Sequence, residues 1–250
     1  MMQNRLLNLL ADNRAVRGAR RFEVQAAADT ATVYLYDMIV GTQAEAEFYG
    51  GVSAEAFVKD IAAIDAPVIN VRINSPGGDV FAARAMANAL KQKKARVVCS
   101  IDGYAASAAT FIALAGDEVE IADGAMMMVH KSWTVAMGNA DDLIATAALL
   151  EQIDNAIVKT YAARTGMAED EVSRLIAAET WLTAQDAVDT GFADRLAEGA
   201  PKDQIAWSVS AFSNAPGAPE TVEPEPETVE ACIAWQDADR VMRHIERIGV

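Results

Sequence analysis

The chain has 250 residues, 52% of them hydrophobic, and a formal net charge of −15. That length and apolar content support one large domain or two small ones around a substantial core. The acidic balance argues against a general nucleic-acid binder, and no apolar run reaches the roughly 18–20 residues of a membrane span.

Residues 1–30 read as a basic N-terminal extension. Met1–Arg21 carries five arginines and one aspartate, and Leu6, Leu7 and Leu10 fit one face of a short helix. The arginines suit solvent or an acidic partner. The apolar stretch is too short and too interrupted for a secretory signal, so a cytoplasmic location is expected.

From residue 31 strands and helices alternate. Thr32–Tyr36 is rich in β-branched and aromatic residues. Ala54–Ile64 has helical spacing through Phe57, Ile61 and Ile64, with Ser53 as N-cap. Val68–Ile73 reads as an apolar strand, followed by the turn Ser75-Pro76-Gly77-Gly78. Val80–Lys94 reads as a helix ending in lysines, which suit its C-terminus. Val97–Ile101 is the next strand, closed by Asp102-Gly103. Ser107–Leu114 reads as a short buried helix, and Glu118–Ile121 and Met126–Val129 as short strands. Ala140–Ala163 predicts a long helix, with Asp141 and Asp142 in its first turn, Leu143, Ala147, Leu150 and Ile153 on one face, and Gly166 at its end. Glu169–Ala178 predicts another. Thr183 opens a third, with Asp186 in the capping-box position and Gly191 past its end. This alternation implies an α/β domain over 31–198.

Residues 199–230 read as an acidic linker. Four of the seven prolines lie between 216 and 226, interleaved with Glu220, Glu223, Glu225 and Glu227. Such a composition buries no core. Residues 231–250 read as a C-terminal helical segment with Ile233, Val241 and Ile248 as apolar contacts. Cys99 lies in an apolar run and reads as a core thiol; Cys99 and Cys232 lack metal-ligand spacing, and neither a metal nor a cofactor is expected.

Ser107 and His130 carry the chemical signal. Ser107 lies in a run of small residues at the start of a helical stretch, where a substrate carbonyl can approach and the next N–H, that of Ala108, can meet an oxyanion. His130 follows a strand and is one of only two histidines, the other being His244 beyond the acidic linker. Serine needs a base to act as a nucleophile near neutral pH, and histidine is the usual one. The glycine turn at 75–78 brings backbone close to a substrate without a Cβ in the way, at the C-terminal end of a strand. Together these features point to acyl transfer on serine, and to peptide hydrolysis first.

Asn74-Ser75-Pro76-Gly77-Gly78, Gly103-Tyr104-Ala105-Ala106-Ser107, Met128-Val129-His130 and Leu182-Thr183-Ala184, with Gly191-Phe192-Ala193-Asp194 after them, occur in the order seen in the ClpP serine peptidase family. The chain resembles that family over about residues 31–198. Trp181-Leu182-Thr183-Ala184 and the long flanking extensions are most similar to the phage and prophage branch associated with head maturation. The resemblance implies a spiral of β-β-α units with a long handle helix. It implies Ser107 as nucleophile, His130 as general base and then acid, and Gly78 and Ala108 N–H groups as the oxyanion hole. The family's aspartate, two residues before the aromatic, is replaced here by Glu179, the implied third member of the triad. The resemblance also implies protein or peptide substrates and a homo-oligomeric ring, a heptamer or stacked rings. No Walker-type loop is present, so any ATPase would be a separate chain. Other readings are a housekeeping Clp subunit serving an unfoldase, a crotonase-type acyl-CoA enzyme, a Ser–Lys peptidase with Lys131 as base, and a catalytically dead ring component.

Overall fold

The computed structural model describes residues 9, 12–13, 21–27, 29–198 and 207–216. The segment expected as a C-terminal helix, with Cys232 and His244, lies outside the described residues, as do most of residues 1–20.

Eight strands form one sheet in the order β1 (Arg21–Ala26), β2 (Thr30–Tyr36), β5 (Val68–Ser75), β6 (Arg96–Ala106), β7 (Glu118–Ile121) and β10 (Arg195–Leu196). Here β8 (Met126–Val129) pairs with β6, and β9 (Thr180–Thr183) pairs with β8. Two short strands, β3 (Ile39–Val40) and β4 (Val52–Ser53), pair separately. The pairings from β2 through β10 are parallel, whereas β1–β2 and β8–β9 are antiparallel. Alternate residues of a strand share a face, and Ile69, Val71 and Ile73 of β5 with Val97, Cys99 and Ile101 of β6 are in the core, while Val68, Asn70 and Arg72 between them are partly exposed.

The helices are α1 (Gln43–Tyr49), α2 (Ala54–Ala63), α3 (Val80–Lys91), α4 (Ala109–Ala113), α5 (Ala140–Thr165), α6 (Glu169–Ala177) and α7 (Ala184–Asp189). Ser53 caps α2 as expected, its hydroxyl accepting from Ala56 N–H. Thr183 and Asp186 close a reciprocal capping box on α7, and Gly166 ends α5 in the left-handed conformation. Cys99 is buried and unpaired with another cysteine, and burial pushes its thiol up to about 12.

Three expectations change. Residues 21–26, placed in the extension, form β1 and pair with β2. Residues 207–216, placed in the linker, lie against the domain, with Trp207, Ala211, Phe212 and Ala215 buried. The third concerns β6, which does not stop at Asp102-Gly103 but continues to Ala106. Asp102 is accommodated because Arg72 binds both its oxygens and Tyr36 donates to it at 2.5 Å. Gly103 is needed because a Cβ there would lie 2.8 Å from Asn74 Oδ1. The β5–β6 register shifts between Ile73 and Ser75, and Asn74 Oδ1 fills the gap by accepting from Tyr104 N–H at 3.1 Å. Beyond this shift β6 leaves β7 and pairs with β8. The exchange of neighbours carries the chain from the core of the sheet to the candidate site.

Candidate active site

Ser107 follows directly on β6. Its backbone has φ +54°, a left-handed conformation that costs a non-glycine residue about 1–2 kcal/mol. Several bonds hold it there. Ser107 N–H donates to Met128 O at 2.8 Å, and Ser107 O accepts from Thr110 N–H at 3.0 Å and Thr110 Oγ1 at 2.6 Å. Tyr161, on α5, bonds Thr110 Oγ1 at 2.6 Å. Burial pushes the Tyr161 hydroxyl up to about 12, and because Thr110 Oγ1 gives its one proton to Ser107 O, Tyr161 is the donor. The expected helix starting at Ser107 is thus a strained turn followed by five helical residues, with Ala108 in the N-cap position.

His130 follows β8 and is nearly buried, 8% exposed. Its Nε2 lies 2.7 Å from Ser107 Oγ. Trp133 Nε1 also approaches Nε2, at 3.1 Å. Indole N–H is a donor only, so this contact assigns Nε2 as the acceptor and Nδ1 as the protonated nitrogen. A neutral imidazole with its lone pair toward a serine hydroxyl is the state a general base requires. The loop after His130 is tied to α5, where Asp154 Oδ1 accepts from Ser132 N–H and Oγ, both at 2.7 Å.

The turn after β5 packs onto the Ser107 turn. Gly77 and Gly78 have φ +91° and +144°. A Cβ on Gly77 would lie 2.5 Å from Ala106 O and 3.0 Å from Ala108 N; one on Gly78 would lie 1.9 Å from Ile39 O. Ile39 binds Gly77 O and Asp79 N–H on one side of this turn. Gly78 N–H and Ala108 N–H have no protein acceptor among the described backbone bonds, and both residues line the same cleft as Ser107 and His130. The cleft has a volume of about 270 Å³, with Phe111, Trp133 and the α5 residues Leu150 and Ile153 as apolar walls. Lys131 is exposed and does not line it.

Glu179 ends α6, with φ +49°. It and Ser107 are the only non-glycine residues with positive φ among the described residues. The antiparallel register ends on Val129 paired with Thr180, the residues adjoining His130 and Glu179 in the chain. Glu179 is 9% exposed, and its Oε1 accepts from Asn214 N–H at 2.7 Å. Of the five residues singled out in the sequence, Ser107, His130, Gly78 and Ala108 line one cleft, and Glu179 lies outside that lining, just before the strand that pairs with β8. The sequence reading missed Trp133, Thr110, Tyr161 and Asn214. Trp133, three residues after His130, was the one with a local signal.

The family model for Clp protease matches residues 29–200. The chain belongs to the Clp protease family. Among curated relatives, the ATP-dependent Clp protease proteolytic subunits of Chlorella vulgaris and Oltmannsiellopsis viridis are each 30% identical over 129 residues, 51% of this chain. The matches span 64% and 66% of those two proteins, just under two thirds of either. Among solved structures, a point mutant of ClpP1 from Listeria monocytogenes superposes with a TM-score of 0.58 at 23% identity, covering 67% of this chain and 91% of that one. That likeness establishes the ClpP-like α/β fold. The family match stops at residue 200, short of the described segment 207–216.

Proposed function

We propose that this chain is a serine endopeptidase working through an acyl-enzyme. The observation that carries the reading is the 2.7 Å contact between Ser107 Oγ and His130 Nε2. It occurs on a strained turn beside two backbone N–H groups. Ser107 Oγ attacks the scissile carbonyl as His130 Nε2 takes its proton, and Gly78 and Ala108 N–H groups receive the oxyanion. The C–N bond breaks as His130 returns the proton to the leaving amine. Water, deprotonated by His130, then attacks the ester, and Ser107 leaves with the proton. Glu179 is the acid that holds the imidazole tautomer and stabilises the imidazolium. The position of Lys131 outside the cleft weighs against a Ser–Lys mechanism.

The finer reading is head maturation in a phage or prophage, with scaffold or capsid proteins as substrates. It is supported by Trp181-Leu182-Thr183-Ala184 and by the extensions flanking the family domain. A second reading, a proteolytic subunit fed by a separate ATPase, is favoured by the names of the curated relatives. Assembly into a ring is proposed through the first half of α5 and the segment before it, where Val135, Met137, Leu143, Ile144 and Leu149 are exposed.

Labelling with a fluorophosphonate probe, located by peptide mass spectrometry, tests the chemistry. An adduct on Ser107 that vanishes in His130→Ala is expected; an unlabelled, folded wild type would overturn the reading. Cleavage of scaffold protein without nucleotide separates head maturation from the subunit reading, which requires an unfoldase and ATP.

A further inference from the structure

Residues 207–216 reach the site from behind. Phe212 presents its ring to His130 edge-on, with centroids 5.4 Å apart and planes at 70°, and also meets Trp133 and Trp181. Asn214 N–H donates to Glu179 Oε1 at 2.7 Å. Asn214 Nδ2 donates to Ala178 O at 2.8 Å and to Glu179 O at 3.3 Å, the two carbonyls at the turn where Glu179 takes its positive φ. Trp207 Nε1 donates to Asn74 O at 2.7 Å, at the strand leading into the glycine turn. None of residues 207–216 lines the cleft, so the segment supports the pair without occluding the substrate path.

The segment is itself anchored. Asn13 and Ser208 exchange two bonds, Ser208 N–H to Asn13 Oδ1 at 2.8 Å and Asn13 Nδ2 to Ser208 O at 2.9 Å. Ser210 Oγ donates to Asp12 Oδ2 at 2.7 Å. Leu9, Phe212, Ala211 and Met128 share a small apolar cluster.

The length of the Glu179 side chain explains why such a support is needed. Glutamate has one more rotatable bond than aspartate, so its carboxylate loses more freedom when aimed at one ring nitrogen. An N–H bond to Oε1 removes part of that freedom and leaves Oε2 for another partner. A ring packed against the imidazole restricts the histidine in the same way.

We propose that residues 207–216 are a positioning clamp in which Asn214 fixes the Glu179 carboxylate and its turn, and Phe212 fixes the His130 ring. This rests on the reading of Ser107, His130 and Glu179 as a triad. Asn214→Ala removes the two Nδ2 anchors, and Phe212→Leu keeps the apolar fill but removes the ring. The test measures the rate of fluorophosphonate labelling of Ser107 in the full chain, across the histidine titration range. It uses wild type, Asn214→Ala, Phe212→Leu, Glu179→Ala and the double variant Asn214→Ala/Glu179→Ala, with melting curves for each.

Asn214→Ala and Phe212→Leu are each expected to slow labelling about 10- to 100-fold and to move the histidine limb of the pH profile. Asn214→Ala is expected to add less than about 2-fold once Glu179 is alanine, because the turn its Nδ2 anchors hold acts on the base only by aiming that carboxylate. A labelled wild type with unchanged rates in both single variants overturns the clamp alone. So do losses that multiply in the double variant with an unmoved pH profile, since these describe a merely structural contact. An unlabelled wild type overturns the peptidase reading and the clamp with it.

Discussion

Gly78 sits where a side chain has no room. A Cβ there would lie 1.9 Å from a backbone oxygen that cannot swing aside, at a φ of +144°. Gly78→Ala is expected to displace the turn from Ile39, lowering the melting temperature by several degrees and labelling of Ser107 by about 10²-fold or more, the scale of a lost oxyanion donor. Unchanged labelling would remove Gly78 from the proposed oxyanion hole. Glu179 is tested by charge alone. Glu179→Gln keeps the shape of the side chain, and the chain is expected to fold with an unshifted melting curve while single-turnover acylation falls about 10²- to 10⁴-fold. Acylation at the wild-type rate would sink the assignment.

At the scale of elements, the Ser107 turn is braced from α5. Thr110 Oγ1 donates to Ser107 O, so the buried Tyr161 hydroxyl is the donor to Thr110. Tyr161→Phe removes one hydrogen bond, with an expected cost of about 0.5–1.5 kcal/mol. Thr110→Val strands both the Tyr161 hydroxyl and a bond to Ser107 O, and is expected to cost about 1–3 kcal/mol. Urea unfolding of the two variants checks the order; equal or reversed losses would mean the brace is not a chain. Most elements with a buried face were legible in the sequence, since apolar spacing announces α2 and the β-branched runs announce β2 and β5. The helix α1 was not, because it has no buried residue and hence no periodicity; its sign was the Thr42–Glu45 capping box. The continuation of β6 was not, because Asp102 is neutralised by Arg72 and Tyr36, which are distant in sequence. For the site, residue type revealed Ser107 and His130, whose chemistry is rare. Asn214 acts through a backbone N–H and Phe212 through packing, and neither leaves a local trace.

At the scale of the molecule, α5 is two structures in one. Its last third carries the buried Ile157, Val158 and Tyr161, while Leu143, Ile144 and Leu149 in its first half stay exposed. Apolar side chains gathered this way on one helix are a signature of interaction surfaces. Ile144→Glu is expected to shift the assembly to smaller species in mass photometry while leaving the melting curve of the subunit intact; a wild type that is monomeric under all conditions would refute the ring. The tie between Asn13 and Ser208 has a different reach, joining residues 195 apart in the chain. Contacts so distant in sequence carry a large loop-closure cost. During synthesis β6 and β8, the strands that lead into Ser107 and His130, are made well before residue 214. On the clamp reading, a half-made chain holds a nucleophile without a trained base. Its chemistry toward its own nascent neighbours is then slowed until synthesis has passed residue 214.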